Sequence, residues 1–202
     1  MIFIITLGAL TYLKYKAKYK AKFITSSKFQ TKQWRQKQLW YINGKSNECE
    51  KYQVKQLENN IIKKQLSKTN ERFNCRQIEI QINKYPLKNN NGFDFTEDFD
   101  IKLIYNNNTL YFNLKFICDN GGAQTRSLRE VYKFIEIQIQ YNQKYNNNNI
   151  YFINILDGDT CNKHINKFTY LFNEYNYITD NIFCGDMYKF NIWWNKNKLK
   201  II

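Results

Sequence analysis

Between residues 76 and 83 the chain reads RQIEIQIN, where Ile78, Ile80 and Ile82 alternate with Gln77, Glu79 and Gln81. A period of two puts the isoleucines on one face of a half-buried strand. Turn residues at 86–92 close it. Next, FDIKLIY (99–105) and LYFNLKFI (110–117) flank three asparagines, 106–108. Asparagine tolerates left-handed turn geometry, so the pair predicts a hairpin. Gly121 and Gly122 break the pattern, after which Leu128, Val131, Tyr132, Ile135 and Ile139 recur at helical spacing, with Thr125 or Ser127 as N-cap. The continuous apolar run NIYFINIL (149–156) reads as a strand buried on both faces. A helix near residues 162–173, a short strand NIFCGD and an aromatic tail ending in NIWWNK follow. That tail, with Trp193 and Trp194, is expected to pack against the last strand or to form a dimer seam. Upstream, Val54, Leu57, Ile61 and Ile62 predict an amphipathic helix over residues 47–66 whose other face is rich in Lys and Gln.

A hairpin, a covering helix and a further apolar strand predict an α/β fold with a mixed sheet flanked by helices. At 202 residues the chain can bury one sizeable core. Charge divides it. Residues 1–70 hold 15 Lys and Arg against 3 Asp and Glu, whereas residues 71–202 hold 16 against 14. A basic, mainly helical N-terminal segment (1–70) beside a charge-balanced core (71–202) points to a polyanionic partner, nucleic acid or an anionic membrane surface. A merely solvated basic face is the plainer alternative.

The five cysteines lie far apart without any C-x-x-C spacing, which predicts free, mostly buried thiols and a reducing compartment: the cytoplasm, a nucleoid or an organelle matrix. That spacing and a single histidine argue against zinc. His164 reads as a surface or capping residue on a helix. The apolar run at residues 2–13 is shorter than the ~20 residues of a membrane span, and its lysines follow it instead of preceding it as in a signal peptide. This argues against a membrane anchor.

The hairpin carries the most informative chemistry. Asn113 and Lys115 share a strand face, and a turn centred on Asn107 sets Asp100 opposite Leu114, within one position of both. Lys115 interrupts the apolar stretch LYFNLKFIC, so it requires a partner or a task, unless it snorkels to the surface. Asp94, Glu97 and Asp98 crowd the same region. Asp98 shares the parity of Asp100 and is a candidate ligand beside it; Asp94 and Glu97 read as loop solvation. LDGD (156–159) reads as an acidic turn closing the buried strand.

An acid entering a strand, a hairpin, then x-Lys on the next strand followed by a helix and a buried strand resembles the PD-(D/E)XK nucleases. The stretch FNLKFICDNGGAQTRSLREVYKF is similar to type II restriction endonucleases of that superfamily, and the likeness spans residues 75–160. It implies a restriction-endonuclease-like core and Mg²⁺-dependent hydrolysis of double-stranded DNA, in which carboxylates hold the metal and a lysine serves the attacking water. Asp100 would be the shared metal ligand and Lys115 the catalytic lysine. The sequence departs from the pattern at Asn113, where the second acid is expected. Some members carry that acid on the following helix, and Glu130 stands near the corresponding place. If Glu130 does not substitute, the site binds DNA without cutting it. Gln124, Arg126 and Arg129 are candidate DNA contacts. A palindromic target implies a homodimer. The competing classes are a non-cutting DNA-binding protein, a homing or repair nuclease of the same fold, and a peripheral membrane protein.

Overall fold

Strands predicted from alternation and from continuous apolar runs separate into two sheets. The computed structural model describes residues 26–82, 96–119, 121–177 and 180–201. In chain order it contains a 3-10 turn (Ser27–Phe29), α1 (Lys32–Gln36), α2 (Ser46–Gln56) running into a π-helical turn (Leu57–Ile61), then β1 (Ser67–Lys68), β2 (Glu71–Asn74), β3 (Glu79–Ile82), β4 (Thr96–Asp98), β5 (Ile101–Tyr105) and β6 (Asn108–Phe116). After these come α3 (Gly122–Tyr145), β7 (Ile150–Asp157), α4 (Asp159–Glu174), β8 (Ile182–Gly185) and α5 (Met187–Ile201). The residue 2–13 run, the 86–92 turn and Asp94 lie outside the described residues.

The main sheet has the order β1-β5-β6-β7-β8. The β5–β6 hairpin is antiparallel and β6, β7 and β8 run parallel. A parallel pair needs a long crossover, and α3 and α4 supply the two here. Strand β7 alternates its apolar residues between two cores. Phe152 and Leu156 join Ile135, Ile139 and Phe168 on the α3 and α4 side. Ile153 and Ile155 join Leu57, Phe112 and Phe190 on the α2 and α5 side. Each such fully buried Phe, Leu or Ile contributes roughly 1.5–3 kcal/mol relative to exposure. The 26–70 stretch belongs to this body, since β1 pairs with β5 and Leu57, Ile61, Ile62 and Leu66 complete the second core.

Several expectations shift. The RQIEIQIN strand belongs to a separate antiparallel sheet, β3-β2-β4, whose Phe73 packs on Phe99, Phe134 and Phe152. Glu71 of β2 ties the two sheets together by accepting a hydrogen bond from Lys102 Nζ of β5 at 3.0 Å. Helix α2 leaves α-geometry after Gln56. The hairpin turn is Asn106–Asn107, with Asn106 at φ 50° and Tyr105 paired to Asn108, so Asp100 extends the register opposite Asn113, one place from the expected Leu114. Helix α3 starts at Gly122 with Gly121 as its cap, ahead of Thr125 and Ser127, and ends at Asn146 in the left-handed conformation. The tail is helical, and Trp194 is buried beside Phe190.

Candidate active site

The site forms where the antiparallel hairpin meets the parallel crossover. Asp100 precedes β5, and Leu114 N–H of β6 donates to its Oδ2 at 2.6 Å. The Asp100 N–H in turn donates to Phe112 O at 2.9 Å, pinning the residue by its backbone. Burial pushes the Asp100 carboxyl up to about 6; the Leu114 N–H and the charge of Lys115 oppose the shift, while Glu50 and Asp98 add to it. Lys115 is half-buried one position beyond Leu114, and among the described residues its ammonium has no hydrogen-bond or ion-pair partner. A half-buried lysine beside a desolvated, unpaired carboxylate is costly for a fold that makes no use of it.

Asn113 lies on the Lys115 face as expected, but its amide is committed to the interior. Its Nδ2 donates to Asn154 Oδ1 of β7 at 3.2 Å, and Asn154 Nδ2 donates to Gln138 Oε1 of α3 at 2.8 Å. Gln138 Nε2 also donates to Asn154 Oδ1, at 3.3 Å. Amides bury cheaply when they pair with one another, whereas a carboxylate in this place would be left with its charge uncompensated. The network fixes the height of α3 over the sheet, and so the position of Glu130 two turns before Gln138.

Asp98 is turned away. Directly opposite residues in an antiparallel pair share a face, and Asp98 stands opposite Arg72, with which it forms a two-point ion pair on the exposed side of β4. Its neighbour Glu97 stands opposite the buried Phe73 and so faces the main sheet and α3. Although Glu97 reaches solvent, partial burial raises its pKa; Lys115 lowers it, while Glu130 and Asp98 raise it further. Lys115 and Glu130 therefore both act electrostatically on Glu97. Parity misled the sequence reading because the chain changes sheets between Asp98 and Ile101, so the alternation does not carry across.

On α3, Gln124 sits half-buried in the first turn, and Arg126 is exposed one turn before Glu130. Arg129 lies elsewhere: with Thr125, Leu128, Tyr132, His164 and Lys167 it lines a hollow against α4. His164 belongs to that hollow, and its pKa is lowered by burial and by Lys167 and Lys163.

Compared with protein-family models, curated proteins and solved structures, the chain matches none.

Two contributors escaped sequence reasoning besides Glu97. Glu50, on α2, acts on Asp100 across the sheet edge. Gln53, one turn later and fully buried, donates through Nε2 to Lys115 O at 3.1 Å and to Asp157 Oδ2 at 2.9 Å, while its Oε1 has no partner. No pattern local to α2 signals either role. Asp157 is no solvated turn: it is fully buried and receives hydrogen bonds from Gln53, from Ser27 Oγ at 3.4 Å and from Met187 N at 3.1 Å. Gly158 then passes so close to Ile117 O that a Cβ would stand 2.2 Å from it, and only glycine fits. The five cysteines are free, and burial raises the thiol pKa of each, as inert structural thiols require.

Among the described residues, no group of three or more His, Cys, Asp or Glu side chains is placed to hold a metal ion. Magnesium needs none, because it takes one or two carboxylates and completes its shell with water and substrate phosphate. Two carboxylates meet that need: Asp100, desolvated and held by one backbone donor, and Glu97, which shares Lys115 as an electrostatic neighbour, both offering hard oxygen ligands.

Proposed function

We propose that the chain is a Mg²⁺-dependent deoxyribonuclease of the PD-(D/E)XK type, related in design to type II restriction endonucleases. The observation that carries this reading is the meeting of Asp100 and Lys115 across one hairpin, at the edge where the β6–α3–β7 crossover opens. Asp100 would hold the metal, with Glu97 or Glu130 as the second carboxylate, and Asp98 is left to Arg72. A bound Mg²⁺ supplies a water of lowered pKa and offsets charge on the attacked phosphate. Lys115 orients the attacking water by hydrogen bonding and stabilises the charge that develops on the phosphoryl oxygens. Gln53 holds the Lys115 carbonyl and so steadies the strand end that carries the lysine. Lysines of the basic N-terminal segment would grip the backbone of double-stranded DNA, which makes affinity fall steeply with salt, and Gln124 and Arg126, on the first turns of α3, would contact phosphate. A palindromic target would require a homodimer. A reducing compartment goes with the free thiols. Among the described residues, no helix is long and apolar enough to cross a membrane.

The test is nicking and cleavage of supercoiled and linear DNA of mixed sequence by wild type, Lys115→Ala, Glu97→Gln and Glu130→Gln, with Mg²⁺ and with EDTA. Discrete fragments are expected from wild type in Mg²⁺ and from neither Lys115→Ala nor the EDTA reactions. Of the two glutamate variants, the one that stops cleavage identifies the second acid. A second reading, DNA binding without cleavage, is favoured by one observation: Asn113 occupies the second-acid position and is locked into a buried amide network. DNA retarded in a gel but left intact by every protein would establish that reading and overturn the nuclease.

A further inference from the structure

The connection between α1 and α2, residues 37–45, reads KQLWYINGK. Leu39 is 94% exposed and Ile42 81%, two of the three most exposed large apolar side chains among the described residues. This is a shaped loop. Tyr41 N donates to Gln38 O at 3.0 Å, Tyr41 Oη donates to Gly44 O at 2.9 Å, and Asn43 N and Nδ2 donate to the Glu48 carboxylate at 3.1 and 3.0 Å. Gly44, at φ 68°, makes the left-handed turn that closes it.

Below the two apolar tips stands a half-exposed aromatic block. Trp40 stacks on Tyr52 with centroids 4.4 Å apart at 13°, and Trp34 lies parallel to Phe116 at 6.3 Å and 9°. Phe116 follows Lys115 on β6, so the block lies at the same strand end as the candidate active site but on the opposite face of the sheet. The stretch from 26 to 70 carries ten Lys and Arg against three Asp and Glu, and one of those acids, Glu48, is spent holding the loop. Apolar tips beside aromatic rings, on a stretch with a strong excess of Lys and Arg, suit a ligand with a π-face and a polyanionic backbone. A second copy of this chain would bring the same excess of positive charge against it. Apolar side chains of this kind enter between base steps and unstack them, and aromatic rings receive bases that are already unpaired.

We propose that residues 37–45 are a base-stacking wedge, with Leu39 and Ile42 as tips and Trp40 and Tyr41 behind them, and that the preferred substrate is duplex DNA with a single-stranded tail. The proposal deepens the nuclease reading and rests on it. Blunt duplex reads the basic grip; the tail reads the wedge.

The test is fluorescence anisotropy of the full chain with a short blunt duplex, the same duplex bearing an oligothymidine tail, and the tail strand alone, in Ca²⁺ to prevent cleavage. Wild type is expected to bind the tailed duplex about tenfold more tightly than the blunt one, since stacking gains accrue base by base. In the Leu39→Ser/Ile42→Ser variant, whose changed side chains are almost fully exposed, the tailed-to-blunt affinity ratio is expected to fall to near unity. Trp40→Ala, with its fold checked by circular dichroism, is expected to do the same. A wild-type ratio of one with blunt duplex still bound overturns the wedge and leaves the nuclease standing. A ratio unchanged in both variants also overturns it. So does loss, in the double variant, of a wild-type dimer or of wild-type binding to anionic phosphatidylserine vesicles without any change in the ratio. No binding to any DNA overturns the wedge and the nuclease together.

Discussion

Asp100 and Asp157 lie at the same end of the main sheet's strands, one before β5 and the other at the end of β7, and burial pushes both carboxyls up to about 6. Their surroundings differ. Asp157 is sealed, with Gln53, Ser27 and Met187 donating to it, and it ties the 3-10 turn, α2 and α5 to the strand end. Asp100 has one backbone donor, a lysine across the hairpin and other acids nearby. A shifted pKa marks a desolvated acid; the number of donors aimed at it separates a structural knot from a place built to receive a ligand.

The largest effect should break the comparison on activity. Lys115→Ala or Asp100→Asn is expected to lower DNA cleavage on the order of a thousandfold with the fold retained, whereas Asp157→Asn should leave cleavage within about tenfold of wild type, as a plasmid-nicking time course would report. Comparable losses at both aspartates would mean that the knot belongs to the site. Stability comes next. Asp157→Ala strands three donors in the interior and should cost about 3 kcal/mol, or roughly 10 °C in thermal melting.

Isosteric replacement sharpens the contrast through its sign. The Asp100 pKa is raised from 3.8 to about 6 in the folded state, so the folded protein favours the protonated form, and stability is lost as pH rises through that window. Asp100→Asn removes this penalty while its amide oxygen still accepts from Leu114 N–H. It should therefore stabilise the fold by about 3 kcal/mol at about pH 8 and by almost nothing near pH 3. Asp157→Asn should destabilise at about pH 8, because its amide nitrogen replaces one carboxylate oxygen and meets either the Gln53 donor or the Ser27 and Met187 donors. Denaturant melts at the two pH values read both signs. The smallest effect is the link between the regions: a double-mutant cycle of Gln53→Leu with Asp157→Asn should show coupling of about 1 kcal/mol, and with Asp100→Asn close to none.

The hairpin, the crossover helix and the doubly buried strand were legible along the chain because each rests on a local pattern: apolar-rich runs on either side of an asparagine turn in β5 and β6, a spacing of three to four in α3, and continuous apolarity in β7. The juxtaposition of Asp100 and Lys115 followed from the same pattern, to within one residue, since a hairpin register depends on turn length alone. Tertiary structure decided the rest. It sent β2, β3 and β4 into a second sheet, which reversed the roles expected of Glu97 and Asp98, because pleat parity holds within a strand and is lost where the chain crosses between sheets. It also brought Glu50 and Gln53 of α2 to the hairpin and sealed Asp157. These contacts join residues far apart in the chain, where packing and desolvation, unlike local spacing, leave no periodic trace.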